Sequence, residues 1–242
     1  MDADDIMPIN KLYDLLTTLE NESKGLVATG SVKYFGDQEI SEGYQNYEAW
    51  LNKTADEQSF YKRIYRECVV ASPNWMMRKQ DFDQMQGFNK LSYPEDYDMV
   101  FHWRKAGFII KSCHQLTHLW REHPERTSRN SHIYQQESFF TLKLGHFLEE
   151  FNKKELFLIG TEKKGMLIAK MLNEKEINFR WFAQDPGLIG QKKRDVLLEN
   201  IFVLPTGGIC IISIYPKKKQ RNVLKNFLRA RGYDIGQTAH FF

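Results

Sequence analysis

The stretch Leu91-Ser-Tyr-Pro-Glu-Asp-Tyr-Asp-Met-Val-Phe-His-Trp-Arg-Lys-Ala-Gly107 decides how the chain is read. Two adjacent carboxylates, Glu95 and Asp96, follow a proline. Tyr97, Val100, Phe101 and Arg104 then recur at helical spacing until Gly107 stops the pattern. An acid at a helix start has two uses. It caps orphan backbone N–H groups and meets the positive end of the helix dipole, or it stands exposed as a base.

Upstream of this stretch lies Gln86-Gly87-Phe88-Asn89, and downstream Leu119-Trp120-Arg121-Glu122-His123-Pro124. The chain opens Met1-Asp2-Ala3-Asp4-Asp5. In this order the four segments resemble the second half of a family-2 glycosyltransferase of the GT-A fold, over about residues 1 to 148. The resemblance implies an α/β protein with a partial GT-A domain at 1–150, lacking its nucleotide-binding N-terminal half. It further implies a metal-dependent, inverting transfer of a sugar from a nucleotide-sugar donor to a glycan or lipid-linked acceptor, in cell-surface polysaccharide or glycan synthesis.

On that resemblance Asp96 is the catalytic base, and Glu95, Gly87 and Arg121 bind substrate. Asp2, Asp4 and His123 look like ligands of Mg²⁺ or Mn²⁺, a hard cation suited to oxygen donors. From the residues alone, the acidic cluster at 2–5 is equally a helix-start signal before Leu12, Leu15, Leu16 and Leu19. His123 reads as an ordinary loop histidine, and Trp75 as a core residue or a sugar-stacking ring.

A second domain is expected over 151–242. Leu156-Phe157-Leu158-Ile159-Gly160 is a buried strand ending on glycine, Gly165 opens a helix, and Phe179 to Phe182 is a second strand with Asp185 just beyond it. This order resembles a small Rossmann-type domain. Its dinucleotide fingerprint is broken, because Glu162 stands where a middle glycine lets backbone approach pyrophosphate, and no dinucleotide cofactor is expected. Ile201 to Leu204 and Ile209 to Ile214 read as further strands, and Arg221 to Arg231 as a final helix.

Composition fits a globular chain with no run long enough to span a bilayer. Cys68, Cys113 and Cys210 show neither metal spacing nor a pairing pattern, and the acidic start is unlike a signal peptide, so a cytoplasmic location is expected. Residues 1–152 carry 17 basic and 23 acidic side chains, whereas 153–242 carry 17 basic and 8 acidic. The basic half suggests an anionic partner, and with the glycosyltransferase resemblance a peripheral membrane contact is expected and no specific nucleic acid. The alternative is a non-catalytic remnant or binding module, in which the acidic pair is a cap and the basic Rossmann-like domain carries the remaining work.

Overall fold

A computed structural model describes residues 2–20, 25–88, 94–126 and 135–242. The chain forms two units, Met1–Ile64 with Cys68–Phe139, and Tyr65–Glu67 with Phe140–Phe242.

In the first unit, α1 (Lys11–Glu20) leads to β1 (Leu26–Phe35). The helices α2 (Glu42–Asp56) and α3 (Phe60–Arg63) follow, then β2 (Trp75–Met77), α4 (Lys79–Gln84), α5 (Glu95–Lys105) and β3 (Ile109–Arg121). The sheet order is β2-β1-β3, with β1 antiparallel to β2 and parallel to β3. Leu15 and Leu19 of α1 pack on Leu26 and Ala28 of β1, as their helical and alternating spacings require.

The parallel register shifts at Gly30. A Cβ at Gly30 would lie 2.3 Å from Thr117 Oγ1. The irregularity is held by Asn74, whose Nδ2 donates to Gly30 O (2.9 Å) and whose Oδ1 accepts from Thr117 Oγ1 (2.8 Å). Sequence spacing suggests two short strands over 108–120, but β3 is continuous. Its pairing with β1 spans both pieces, and His114, at φ +59°, absorbs the break between them.

The helix α6 (Gln136–Glu150) precedes the sheet of the second unit. That sheet contains β4 (Leu156–Ile159), β5 (Arg180–Ala183), β6 (Lys192–Lys193), β7 (Val196–Asn200), β8 (Ile209–Ile212) and β9 (Ala239–Phe241). The helix α7 (Lys163–Glu174) joins β4 to β5, and α8 (Lys218–Ala230) joins β8 to β9.

The sheet order is β6-β7-β5-β4-β8-β9. All neighbours are parallel except the edge strand β6. The five parallel strands therefore run third, second, first, fourth, fifth in chain order, which is the Rossmann-like winding. Their all-buried pattern in β4 and β8 is what two covered faces demand. Ile201–Val203 is a 3₁₀ turn rather than a strand, because Asn200 Oδ1 accepts from Phe202 N and bends the chain after β7.

Candidate functional site

In a parallel sheet of this winding, the strand order reverses between β4 and β8, and the connections leaving their carboxyl ends part to opposite faces. Sheets of this winding bind ligands at that point, outside the carboxyl ends of the strands. At this point Gly160 has φ +107°, a conformation that L side chains rarely adopt. Its N–H donates to Phe182 O (3.1 Å), and its carbonyl accepts from Trp181 Nε1 at 2.7 Å. Ser213 Oγ, at the end of β8, lies 2.9 Å from Ile159 O and 3.2 Å from Gly160 O. A Cβ on Gly165 would sit 2.2 Å from Gly160 O, so glycine alone lets the first turn of α7 press on the strand end.

The start of α7 receives no side-chain cap from Glu162. Its leading N–H groups and positive dipole end therefore gain no acceptor from that side chain, and Lys164 Nζ lies 5.7 Å from the Phe140 ring centroid. Exposed Glu162 occupies the middle position of Gly160-Thr161-Glu162-Lys163-Lys164-Gly165, where a carboxylate repels pyrophosphate. Asp185 stands beyond β5, and one carboxylate oxygen accepts from Gly187 N at 2.9 Å to open the turn Pro186–Leu188.

The residues singled out from sequence in the first unit have local partners. Asp96 lies at the start of α5, and its Oδ1 accepts from Tyr97 N at 2.8 Å. Burial, reinforced by neighbouring Glu95, pushes its carboxyl up to about 6 against the bonds from Tyr97 N–H and Ser72. Glu95 is exposed at the first position of α5. Gly87, at φ +65°, closes α4 with its N–H on Phe82 O (3.1 Å), and a Cβ there would meet the Phe82 ring at 3.0 Å. Trp75 packs edge-to-face on Trp103 (5.2 Å) within an aromatic cluster that includes Phe82 and Phe88.

Arg121 donates from its backbone N to Asp5 Oδ1 (3.0 Å) and from Nε to Asp4 O (2.9 Å), and its guanidinium rests on the Phe35 ring. His123 Nε2 is 3.0 Å from Asp4 Oδ2. Asp2 uses its carbonyl to accept from Asp5 N. Among the described residues, Asp2, Asp4 and His123 do not bring three ligand atoms within 4.8 Å of one another.

Sequence reasoning missed the buried partners beneath this pair. Asp5 Oδ2 is 3.0 Å from His118 Nε2, His118 Nδ1 is 3.2 Å from Lys11 Nζ, and Lys11 donates to Pro73 O at 2.9 Å. Burial raises the Asp5 carboxyl and lowers Lys11. Burial, with the Lys11 charge beside it, lowers His118 to about 4, so its ring is neutral at neutral pH. Asp5 and Lys11 share the N-terminal segment, but His118 lies 107 residues beyond Lys11, and no local pattern marks the set.

No family model matches the sequence, and no curated protein matches it. Among solved structures, the chain is similar to RSP in complex with β-NADH. That match has 17% identity and a TM-score of 0.29, and covers 43% of this chain and 60% of that one. A structure of RSP described as a Rex-family repressor matches at 18% identity and a TM-score of 0.30, over 43% of this chain and 59% of that one. RSP in complex with β-NAD⁺ and operator DNA matches at 12% identity and a TM-score of 0.31, over 85% and 87%. The chain thus spans about 60% of the length of the first two. Likenesses of this size carry no argument for a shared activity.

These matches are to a repressor and not to a glycosyltransferase, and they correct the family-2 glycosyltransferase resemblance. With it go the partial GT-A assignment of the first unit, the sugar-transfer activity and the enzyme class. The partner set, a nucleotide-sugar donor, a glycan or lipid-linked acceptor and a membrane but no nucleic acid, is corrected too, since the matched structures hold β-NADH, β-NAD⁺ and operator DNA. The physical reason is that short acidic motifs satisfy local needs. Asp96 bonds the first turn of α5, Asp5 pins the N-terminal segment to β3, and Gly87 ends α4. No helix among the described residues is long and apolar enough to cross a membrane.

Proposed function

We propose that the chain is a cytoplasmic, non-catalytic binding module whose C-terminal unit receives a nucleotide at the switch point of its parallel sheet. One observation carries the reading: the strand order reverses between β4 and β8, where Gly160 and Gly165 bring the uncapped start of α7 against the strand end. A helix start of this kind favours phosphate. Asp185 stands at the end of the second strand, where an acid can take ribose hydroxyls. The dinucleotides held by the matched repressor structures are natural probes.

Glu162 sets the character of the site. Its carboxylate opposes a pyrophosphate, so the native chain binds such ligands weakly and prefers a nucleotide that keeps its phosphates away from the middle of the turn. Titration of the full chain with NADH, NAD⁺ and ADP by calorimetry tests the reading. Saturable binding is expected, tightened about tenfold by Glu162→Gly, which corresponds to removing one like-charge contact of about 1.4 kcal/mol. Absence of saturable binding for all three ligands, in both proteins, would overturn it.

A further inference from the structure

The helix α1 is apolar over more of its surface than the first unit covers. Leu15 and Leu19 pack on Leu26 and Ala28 of the sheet, and Lys11 and Thr18 are buried as well. A second row, Ile9, Leu12, Tyr13 and Leu16, recurs at i, i+3, i+4 and i+7 along the turn that opens α1 and the first half of the helix. This row faces water. Ile9 is 97% exposed, Tyr13 72%, Leu12 56% and Leu16 50%. Just before it, the backbone of Ile6 is tied to Leu119 of β3 by two hydrogen bonds (3.0 and 3.1 Å), and both Ile6 and Met7 keep exposed side chains.

Large apolar side chains exposed one at a time are ordinary, but four on one stripe within about two turns are not. With Ile6 and Met7, the stripe leaves on the order of 600 Å² open to water, the upper end of what a typical monomer carries in its largest patch. Closing two such patches on each other removes about 1,200 Å², more than the roughly 1,000 Å² that a specific interface needs.

The chemistry of the stripe favours its own image. None of its four positions is charged, so a second copy meets nothing there that repels it. Tyr13 supplies an aromatic side chain of the kind that carries binding energy at interfaces. Glu20, four residues beyond Leu16, continues the same side of the helix and is exposed. The last turn of α1 has no basic residue, so nothing in the helix itself offsets a carboxylate at its own negative end. In an antiparallel pair centred between Tyr13 and Leu16, that carboxylate meets the positive start of the partner helix. Leu12 and Tyr13 of one copy then lie against Leu16 of the other.

A lipid surface fits less well. Interfacial helices carry Lys and Arg on their polar face, whereas the single basic residue of α1, Lys11, is buried with its Nζ on Pro73 O. We infer that the face formed by Ile9, Leu12, Tyr13 and Leu16 is a homodimer interface, in which two copies of the chain pair their α1 helices antiparallel about a two-fold axis.

Sedimentation velocity of the full chain over a dilution series tests this. A dimer is expected at about 100 μM, dissociating in the micromolar range. Tyr13→Glu combined with Leu16→Glu sets like charges against each other across the axis and should weaken the dimer about a hundredfold or more. Glu20→Lys, which turns a cation towards the partner's helix start, should weaken it about fivefold. Val203→Glu combined with Val223→Glu, the same charge change at two exposed apolar positions of the second unit, should leave it within about twofold. Circular dichroism checks that each variant is folded, and Tyr13→Ser with Leu16→Ser replaces the glutamate pair if that chain fails to fold. A chain that stays monomeric at about 100 μM, whether or not it binds phosphatidylserine vesicles, would overturn the inference. So would a dimer that the Tyr13 and Leu16 variants leave intact or that the control pair weakens equally. A dimer that Glu20→Lys leaves as tight as the parent would overturn the antiparallel arrangement.

Discussion

The Asp96 carboxyl gives the sharpest stability test. Its folded pKa of about 6 stands above the ordinary 3.8 because burial disfavours the charged form. Between these values the folded state binds more protons than the unfolded state, so the group's contribution is fully present below pH 3.8 and is lost as pH rises through 6. A rise from 3.8 to about 6 corresponds to about 3 kcal/mol at most. Asn mimics the protonated acid in shape and keeps an acceptor for Tyr97 N–H. Asp96→Asn should therefore stabilise the protein at pH 8 by up to about 3 kcal/mol, with the gain falling towards zero near pH 4. Urea denaturation at pH 4.5, 6 and 8 measures it. An effect independent of pH, or a loss of stability at pH 8, would refute the argument that this carboxylate is held in a desolvating site.

Lys143 is the mirror case, buried over Phe140 with its ammonium on Arg66 O and lowered to about 8 by desolvation. Because the unfolded state binds the extra proton between 8 and 10.5, stability rises with pH across that window. Lys143→Met should gain up to about 3 kcal/mol at pH 7 and nothing above pH 10.5, as read by denaturation at both values. Gly165→Ala places a Cβ against Gly160 O and should cost about 1–3 kcal/mol. A thermal melt unchanged from the parent would remove the close approach from the account.

The C-terminal unit was legible because its signals are local and redundant. A continuous apolar run such as Leu156–Ile159 suits a strand covered on both faces, and glycines at 160 and 165 mark a turn that only they can make. The broken fingerprint at Glu162 was legible too. The first unit misled because its motifs are short and acidic. Carboxylates after a proline, or before an amphipathic run, serve helix starts as readily as chemistry, and spacing does not separate the two. What decides their role is spatial: Asp5 meets His118 across 113 residues of sequence, and Arg66 reaches Tyr215 across 149. No window along the chain contains either pair.

The central claim is that the turn between Gly160 and Gly165 holds a nucleotide. Backbone amide shifts in a ¹⁵N-labelled full chain, followed through an ADP titration, address it directly. The account expects saturable movements concentrated at Gly160, Thr161, Lys164, Gly165, Ser213 and Asp185. Shifts confined to α8, or no saturable shift at these six residues, would contradict it.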